Sequence, residues 1–300
     1  MLFTPVKPML LTMGKEPTNH PEHLYDIKWD GWRILIHKQG NRIEAYTRHG
    51  NQVTNQFPEL QEALSHINKH TAILDCEGVV LRNGNSVFED FAYRGRLKST
   101  EKIRKAMITH PVTFVAFDIL ATDKPLLKET LIKRKQYLKD IITPSNVLLA
   151  TPYVIEDGQT LHTLTKEKGM EGIVEKPLNS LYHLDTRSPN WLKHKHFKRL
   201  DTVIMGYKEN PFTMIVGSTF SNGKLKPVAQ VEFGFNPEDK QAFRGIANRL
   251  ITKEENGVFW LEPLLCCSTQ YLEKTSKNML RITSFKGFLP EKKVEECVFT

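Results

Sequence analysis

No apolar run in this 300-residue chain is long enough to cross a bilayer. Its opening, MLFTPVKPMLLTMGK, lacks the n-region, h-region and cleavage site of a secretory leader, and Pro5 and Pro8 break its short apolar content. The expectation is a cytoplasmic protein without membrane attachment. Cysteine is scarce as well: Cys76, Cys266, Cys267 and Cys297 are the four, with no CxxC and no Cys/His spacing suited to zinc. That argues against a disulfide framework or a zinc module and for buried, reduced thiols. Negative charge is in short supply too. Asp and Glu number 34 against 42 Lys and Arg, a formal net charge of +8, which favours polyanionic partners, nucleic acid ahead of anionic membrane. With 40% hydrophobic and 25% charged residues the chain is of the globular class, long enough for one large or two ordinary domains.

What is present centres on Asp26-Ile27-Lys28-Trp29-Asp30-Gly31-Trp32-Arg33. Apolar residues at Tyr25, Ile27, Trp29, Ile34 and Ile36 predict a strand, a bend at Gly31 and a second strand, with Lys28 and Asp30 on one face by period two. A lysine is nucleophilic only when neutral, and a nearby cation such as Arg33 lowers its pKa. An edge strand with solvated charges is the plainer alternative.

Further along, Arg42–Arg48 predicts a hairpin partner to residues 34–38 through Gln39-Gly40-Asn41, with Arg48 at its end, and 57–67 an amphipathic helix. The apolar strand at 72–81 carries Asp75 and Glu77, and buried carboxylates need partners such as a core arginine. Residues 88–98 mix aromatic and basic side chains, as either a nucleic-acid surface or a helix with one core face does. Residues 112–120 form a buried strand that includes Phe117, and 126–140 read as an exposed basic helix. Glu171 opens another strand. Lys193 and Lys195 share one strand face, where like charges repel unless an anion lies between them or water solvates an edge strand.

KWDGWR has the form KxDGxR and resembles the nucleotidyl-transfer motif of ATP-dependent DNA ligases. Partner motifs follow in the family's order: DxEG at Asp75–Gly78, Phe117 before Asp118, EGxVxK from Glu171, WxKxK from Trp191, and the stretch 279–288 around Arg281. The resemblance implies that Lys28 takes AMP from ATP as a phosphoramidate. It places Ile27, Asp30, Arg33, Glu77, Phe117, Lys193, Lys195 and Arg281 around the nucleotide, with Phe117 stacked on adenine. Glu171 and Glu77 would serve Mg²⁺, with Mn²⁺ as a substitute; Arg48, Lys286 and Lys292 would face DNA. Tyr182 and Arg187-Ser188 fit the approach to the fifth motif, but His183-Leu184-Asp185 replaces its usual Pro-Gly. Leu289-Pro290-Glu291-Lys292 stands where the family has Arg, one residue, Asp and Lys, so pyrophosphate alignment would rest on Arg281, Lys286 and Lys292.

The implied architecture is α+β: a nucleotidyltransferase (ATP-grasp-like) adenylation domain over 1–198, then an OB-fold β-barrel over 199–300, hinged near Phe197–Asp201. In the last third, strands near 203–207, 214–220, 228–233 and 264–271, a turn at Asn222-Gly223 and a helix from Asn236 fit such a barrel, an SH3-like barrel being the alternative. ATP rather than NAD is expected, because only 27 residues precede Lys28 and a four-cysteine zinc module is missing. The implied function is sealing of nicked double-stranded DNA in replication, repair or recombination, by a monomer. An RNA ligase, a capping guanylyltransferase and an inactive nick-binding protein are the alternatives.

Overall fold

The two halves of the stretch around Lys28 enter two different sheets. The chain begins its regular structure with β1 (Leu10–Met13) and β2 (His23–Ile27), leaves it over 28–31, and returns as the hairpin β3 (Trp32–Gln39) and β4 (Arg42–Thr47). Helix α1 (Leu60–Ser65), the long strand β5 (Thr71–Arg82), β6 (Asn85–Ser86), α2 (Phe88–Arg96), α3 (Thr100–Thr109) and β7 (Val112–Ala121) follow. Then come α4 (Leu131–Ile141), β8 (Leu148–Ala150), β9 (Tyr153–Ile155), α5 (Gly158–Glu167), β10 (Gly172–Pro177) and β11 (Arg187–Lys195). The computed structural model describes residues 1–299; Met1 to Lys195 form one compact unit and a second begins at His196.

In the first unit one sheet has the order β1-β11-β10-β2-β9 and the other β4-β3-β5-β7-β8, with β6 on β5. Residues 28–31 therefore cross from one sheet to the other. Lys28 and Asp30 lie outside any strand, so the period-two expectation for them does not apply. The crossing is tight: a Cβ on Gly31 would fall 2.0 Å from the Gly78 carbonyl oxygen.

Strand β3 is buried on both faces, which is why its apolar run is continuous. Ile34 and Ile36 pack with Leu74, Cys76, Phe114 and Ala116, whereas Leu35 turns the other way to Ile73, Leu120, Leu24 and Trp191. Each such side chain contributes about 1.5–3 kcal/mol on burial. Helix α4 departs from the exposed helix expected: Arg134 and Lys135 are buried, paired with Asp118 and Asp26. β1, pairing parallel with β11, and the edge strands β8 and β9 were not expected either.

The second unit contains β12 (Lys198–Glu209), β13 (Phe212–Thr219), β14 (Leu225–Val231), α6 (Pro237–Ala247), β15 (Ile251–Glu255), β16 (Val258–Tyr271), β17 (Glu273–Lys274), β18 (Leu280–Arg281) and β19 (Ser284–Phe288). Asn236 and Asp239 form a capping box at the start of α6, with Pro237 in its first turn. The sheet runs β14-β13-β12-β16-β15 with β19 on β16, around a core of Ile204, Met214, Val216, Val228 and Phe243. Among the described residues no ladder closes this sheet into a barrel; Phe285 N–H donates to the Phe233 carbonyl just past β14 (2.8 Å). Lys198–Asp201, most of the segment expected as a hinge, pair with Tyr271–Ser268 in this sheet. No helix among the described residues is long and apolar enough to cross a membrane.

Candidate active site

Lys28 sits where β2 ends, its N–H donating to the Gly172 carbonyl at the start of β10 (2.9 Å). Its Nζ donates to Glu171 Oε2 at 2.6 Å, and Lys195 Nζ pairs with Glu171 Oε1, also at 2.6 Å. Strand register explains the meeting. Gly172 faces Lys195 and Val174 faces both Lys193 and Asp26, so Asp26, Lys193 and, at period two, Lys176 and Lys195 share one face of the sheet. Gly172 allows the close approach: at φ +147°, a Cβ there would lie 1.9 Å from the His194 carbonyl oxygen. Lys193 is half-buried, and among the described residues its side chain makes no hydrogen bond or salt bridge. Burial, then Lys195, Lys28 and Arg187, hold its pKa below the usual lysine value.

Burial pulls the Lys28 ammonium down, but Glu171, Glu77 and Asp30 outweigh it, and its pKa stands above the ordinary value. Arg33, one possible activating cation, is not among the groups that set this balance. Arg33 is engaged elsewhere: its Nε and Nη2 grip both oxygens of the buried Asp75 (2.8 and 2.5 Å), and Nη1 donates to the Met9 carbonyl (2.7 Å). Tyr182 O–H donates to Asp75 (2.6 Å) and accepts from Met9 N–H (3.1 Å) and Arg33 (3.0 Å). Asp75 and Arg33 thus form the acid and core-arginine pair anticipated as the plainer reading. The neighbouring acid differs. Glu77 accepts from Gly31 N–H (3.1 Å), and burial, with Glu171 and Asp30 adding, lifts its pKa to about 7.

Phe117 projects between the sheets because β7 bulges there. Asp75 pairs with Asp118 and Cys76 with Ala116, leaving Phe117 without a partner position, and it alone in β7 is not buried. The Arg33 guanidinium and Lys176 Nζ each lie 5.1 Å from its ring centroid. Lys176 also stands over Trp191 (4.6 Å) and bonds Asp26 (2.5 Å), whose other oxygen takes Lys135 (2.6 Å). Asp26, Lys135 and Lys176 were missed as site-lining residues; the only sequence signals were an acid in an apolar strand and the last residue of EGxVxK.

Lys28, Asp30, Glu77, Glu171, Lys193 and Lys195 are thus gathered, with Phe117 and Arg33 beside them and Ile27 opposite Ile173 at the end of β2. The other predicted residues lie on other elements. Arg48 is exposed after β4 and donates to His49 (2.9 Å). In the second unit Lys286 is exposed on β19, Lys292 pairs with Asp201 (2.9 Å), and Arg281 pairs with Glu273 across β17 and β18. Among the described residues no group of three or more His, Cys, Asp or Glu is placed to hold a metal by itself.

Comparison with known proteins identifies the family. Residues 3–195 match the profile of the ATP dependent DNA ligase domain family. The chain is 31% identical over 291 positions to the SPbeta prophage-derived DNA ligase-like protein LigB of Bacillus subtilis, covering 94% of this chain and 98% of that protein. It is 32% identical over 315 positions to the bifunctional non-homologous end joining protein LigD of the same organism, covering 97% of this chain but only 51% of LigD. This chain therefore spans about half the length of that relative. Among solved structures, the ligase domain of M. tuberculosis LigD superposes with a TM-score of 0.59 at 25% identity, over 98% of both chains. The fold is accordingly a nucleotidyltransferase unit followed by an OB-like unit. A profile that spans nearly all of the first unit, and a relative matched along almost its whole length, show that the chain belongs to the ATP-dependent DNA ligase family.

Proposed function

We propose that this chain seals 5′-phosphate/3′-hydroxyl nicks in duplex DNA, acting as a monomer in the cytoplasm. The observation that carries this is the charge arrangement at Lys28: a lysine held by Glu171, which also holds Lys195, beside the unpaired Lys193. Lys193 and the Lys195 that Glu171 now neutralises form a receptor for a polyphosphate. With ATP phosphates held by Lys193 and Lys195, Glu171 loses the Lys195 cation and becomes a stronger base; Lys28 passes a proton to it across 2.6 Å, and the freed nitrogen attacks the α-phosphorus. The bond to the β-phosphate oxygen breaks and pyrophosphate leaves. A 5′-phosphate oxygen at the nick then attacks the same phosphorus, the P–N bond breaks, and Lys28 recovers a proton. Finally the 3′-hydroxyl attacks the 5′-phosphorus, losing its proton, and AMP departs. Lys193 and Lys195 stabilise charge on the transferring phosphoryl group, and Phe117 offers a face for adenine.

Glu171 and Glu77 fit a magnesium ion, or manganese in its place. They are hard oxygen donors, and the crowding of Glu77 by Glu171 and Asp30 is a repulsion that a divalent cation would relieve. Such an ion supplies charge neutralisation at the phosphoryl oxygens when bound. Residues 1–198 act as the adenylating domain and the remainder as an OB-fold barrel, completed beside the Phe285–Phe233 hydrogen bond. Arg281 serves the pyrophosphate, while Arg48, Lys286 and Lys292 meet DNA phosphates.

Incubation with α-³²P-ATP and Mg²⁺, followed by a denaturing gel, tests the proposal. A labelled band absent from Lys28→Ala is expected, together with sealing of nicked DNA in preference to nicked RNA. Absence of label from protein known to be free of AMP would refute it; preference for nicked RNA would move the substrate class.

A further inference from the structure

Two of the four cysteines touch. Cys266 Sγ and Cys297 Sγ lie 3.6 Å apart, separated by 31 positions in sequence, and both are buried. They meet in a small apolar nest of Val203, Leu225, Leu289 and Val294, apart from the main core of the second unit. Neighbouring Cys267 points the other way, into that core, beside Thr202 and Thr269. Cys76 belongs to the first unit.

Cys297 is also the anchor of a strap, residues 289–299, laid over β12, β13 and β16. The Cys297 carbonyl accepts from Thr219 N–H and Ser218 Oγ, both at 2.8 Å. Leu289 N–H donates to the Cys266 carbonyl (2.9 Å), Lys292 pairs with Asp201 (2.9 Å), and Phe299 stacks on Phe220 (4.7 Å between centroids). These noncovalent attachments keep the two sulfurs together, with no side chain between them.

We propose that Cys266 and Cys297 are a disulfide-forming pair that clamps this strap, and with it Lys292, onto the second unit. In the reaction both S–H bonds break and one S–S bond forms. The two electrons and two protons pass to a low-molecular-weight disulfide, which is reduced to two thiols. Burial holds both thiols protonated, raising Cys297 to about 12. The attacking thiolate therefore forms when the strap lifts, and once closed the bond is shielded from reductant. Slow closure and slow reopening follow.

The test equilibrates the full-length protein in glutathione mixtures of graded redox ratio, with and without urea below the unfolding transition, and alkylates it under denaturing conditions. Two thiols should escape alkylation, and peptide mapping should join Cys266 to Cys297. Urea should accelerate closure. Trypsin cleavage after Lys292 or Lys293 should release the tail from reduced protein but leave it attached in oxidised protein until reductant is added. The oxidised second unit should melt higher. Cys266→Ser should abolish the link and Cys267→Ala should retain it. A link through Cys267 or Cys76, a link between two chains, or four alkylated thiols at every ratio with urea present would each overturn the proposal. So would a lower melting point on oxidation.

Discussion

Arg33→Met tests whether Arg33 builds the site or touches substrate. The substitution keeps the apolar stem but removes a guanidinium that donates twice to Asp75 and once to the Met9 carbonyl. Asp75 has 0% side-chain exposure, so what remains is a buried carboxylate with Tyr182 as its one hydroxyl donor. Breaking one side of a buried pair costs about 3–5 kcal/mol, because the surviving charge stays desolvated. For a unit of this size that lowers the melting temperature by roughly 6–20 °C. The double variant Arg33→Met/Asp75→Leu removes both charges and should recover most of the loss, giving a large favourable coupling in a double-mutant cycle. Calorimetry and urea melts of the first unit's transition supply all four corners. If Arg33→Met melts like the parent and instead raises the KM for nicked DNA, the pair with Asp75 does not hold in solution and Arg33 contacts phosphate.

Three further outcomes follow from the geometry around Lys28. Glu77 binds its proton more tightly folded than unfolded, so its stability contribution is full below about pH 4.5 and is lost as pH rises to about 7, on the order of 3 kcal/mol. Glu77→Gln, which can still accept from Gly31 N–H, should therefore gain stability over the parent at pH 8 but not at pH 4; equal shifts at both would contradict the assignment. Gly31→Ala puts a methyl 2.0 Å from the Gly78 oxygen, and should cost several kcal/mol and AMP labelling together, read by melting and gel. Lys193→Met removes a half-buried cation crowded by Lys195, Lys28 and Arg187, and should raise the melting temperature slightly while weakening ATP binding at least tenfold. A destabilised Lys193→Met with unchanged ATP affinity would show that the lysine is structural.

Local pattern carried the strands and the order of the motifs because both are properties of near neighbours. Period two in 42–47, the turn at Gly40, and the continuous apolar runs of 34–36 and 112–120 each reflect contacts that the local backbone dictates. Helix α4 was misjudged for the opposite reason. Its basic residues look solvated until Asp26, 109 positions earlier, is brought against Lys135. The same limit applies to Arg33, whose use is decided by Asp75, 42 positions away, and by Tyr182, 149 away. A guanidinium in an isolated hexapeptide could equally face a phosphate. The bulge at Phe117 also has no sequence signal, since it exists only in the register between β5 and β7.

The charge on Lys28 is the clearest case of chemistry that spacing cannot supply. KxDGxR puts a cation within five residues of the nucleophile, and from sequence that predicts activation. Folding instead turns Arg33 to Asp75 and supplies Glu171 from 143 positions away. The resting lysine is therefore an ammonium held by a buried carboxylate, a state with little nucleophilicity. What changes it is competition for Glu171. Lys195 shares that carboxylate, so an anion that draws Lys195 toward itself leaves Glu171 a stronger base toward the Lys28 ammonium, 2.6 Å away. In the proposed reaction, the arrangement thus ties the loss of the Lys28 proton to the arrival of the phosphorus it attacks.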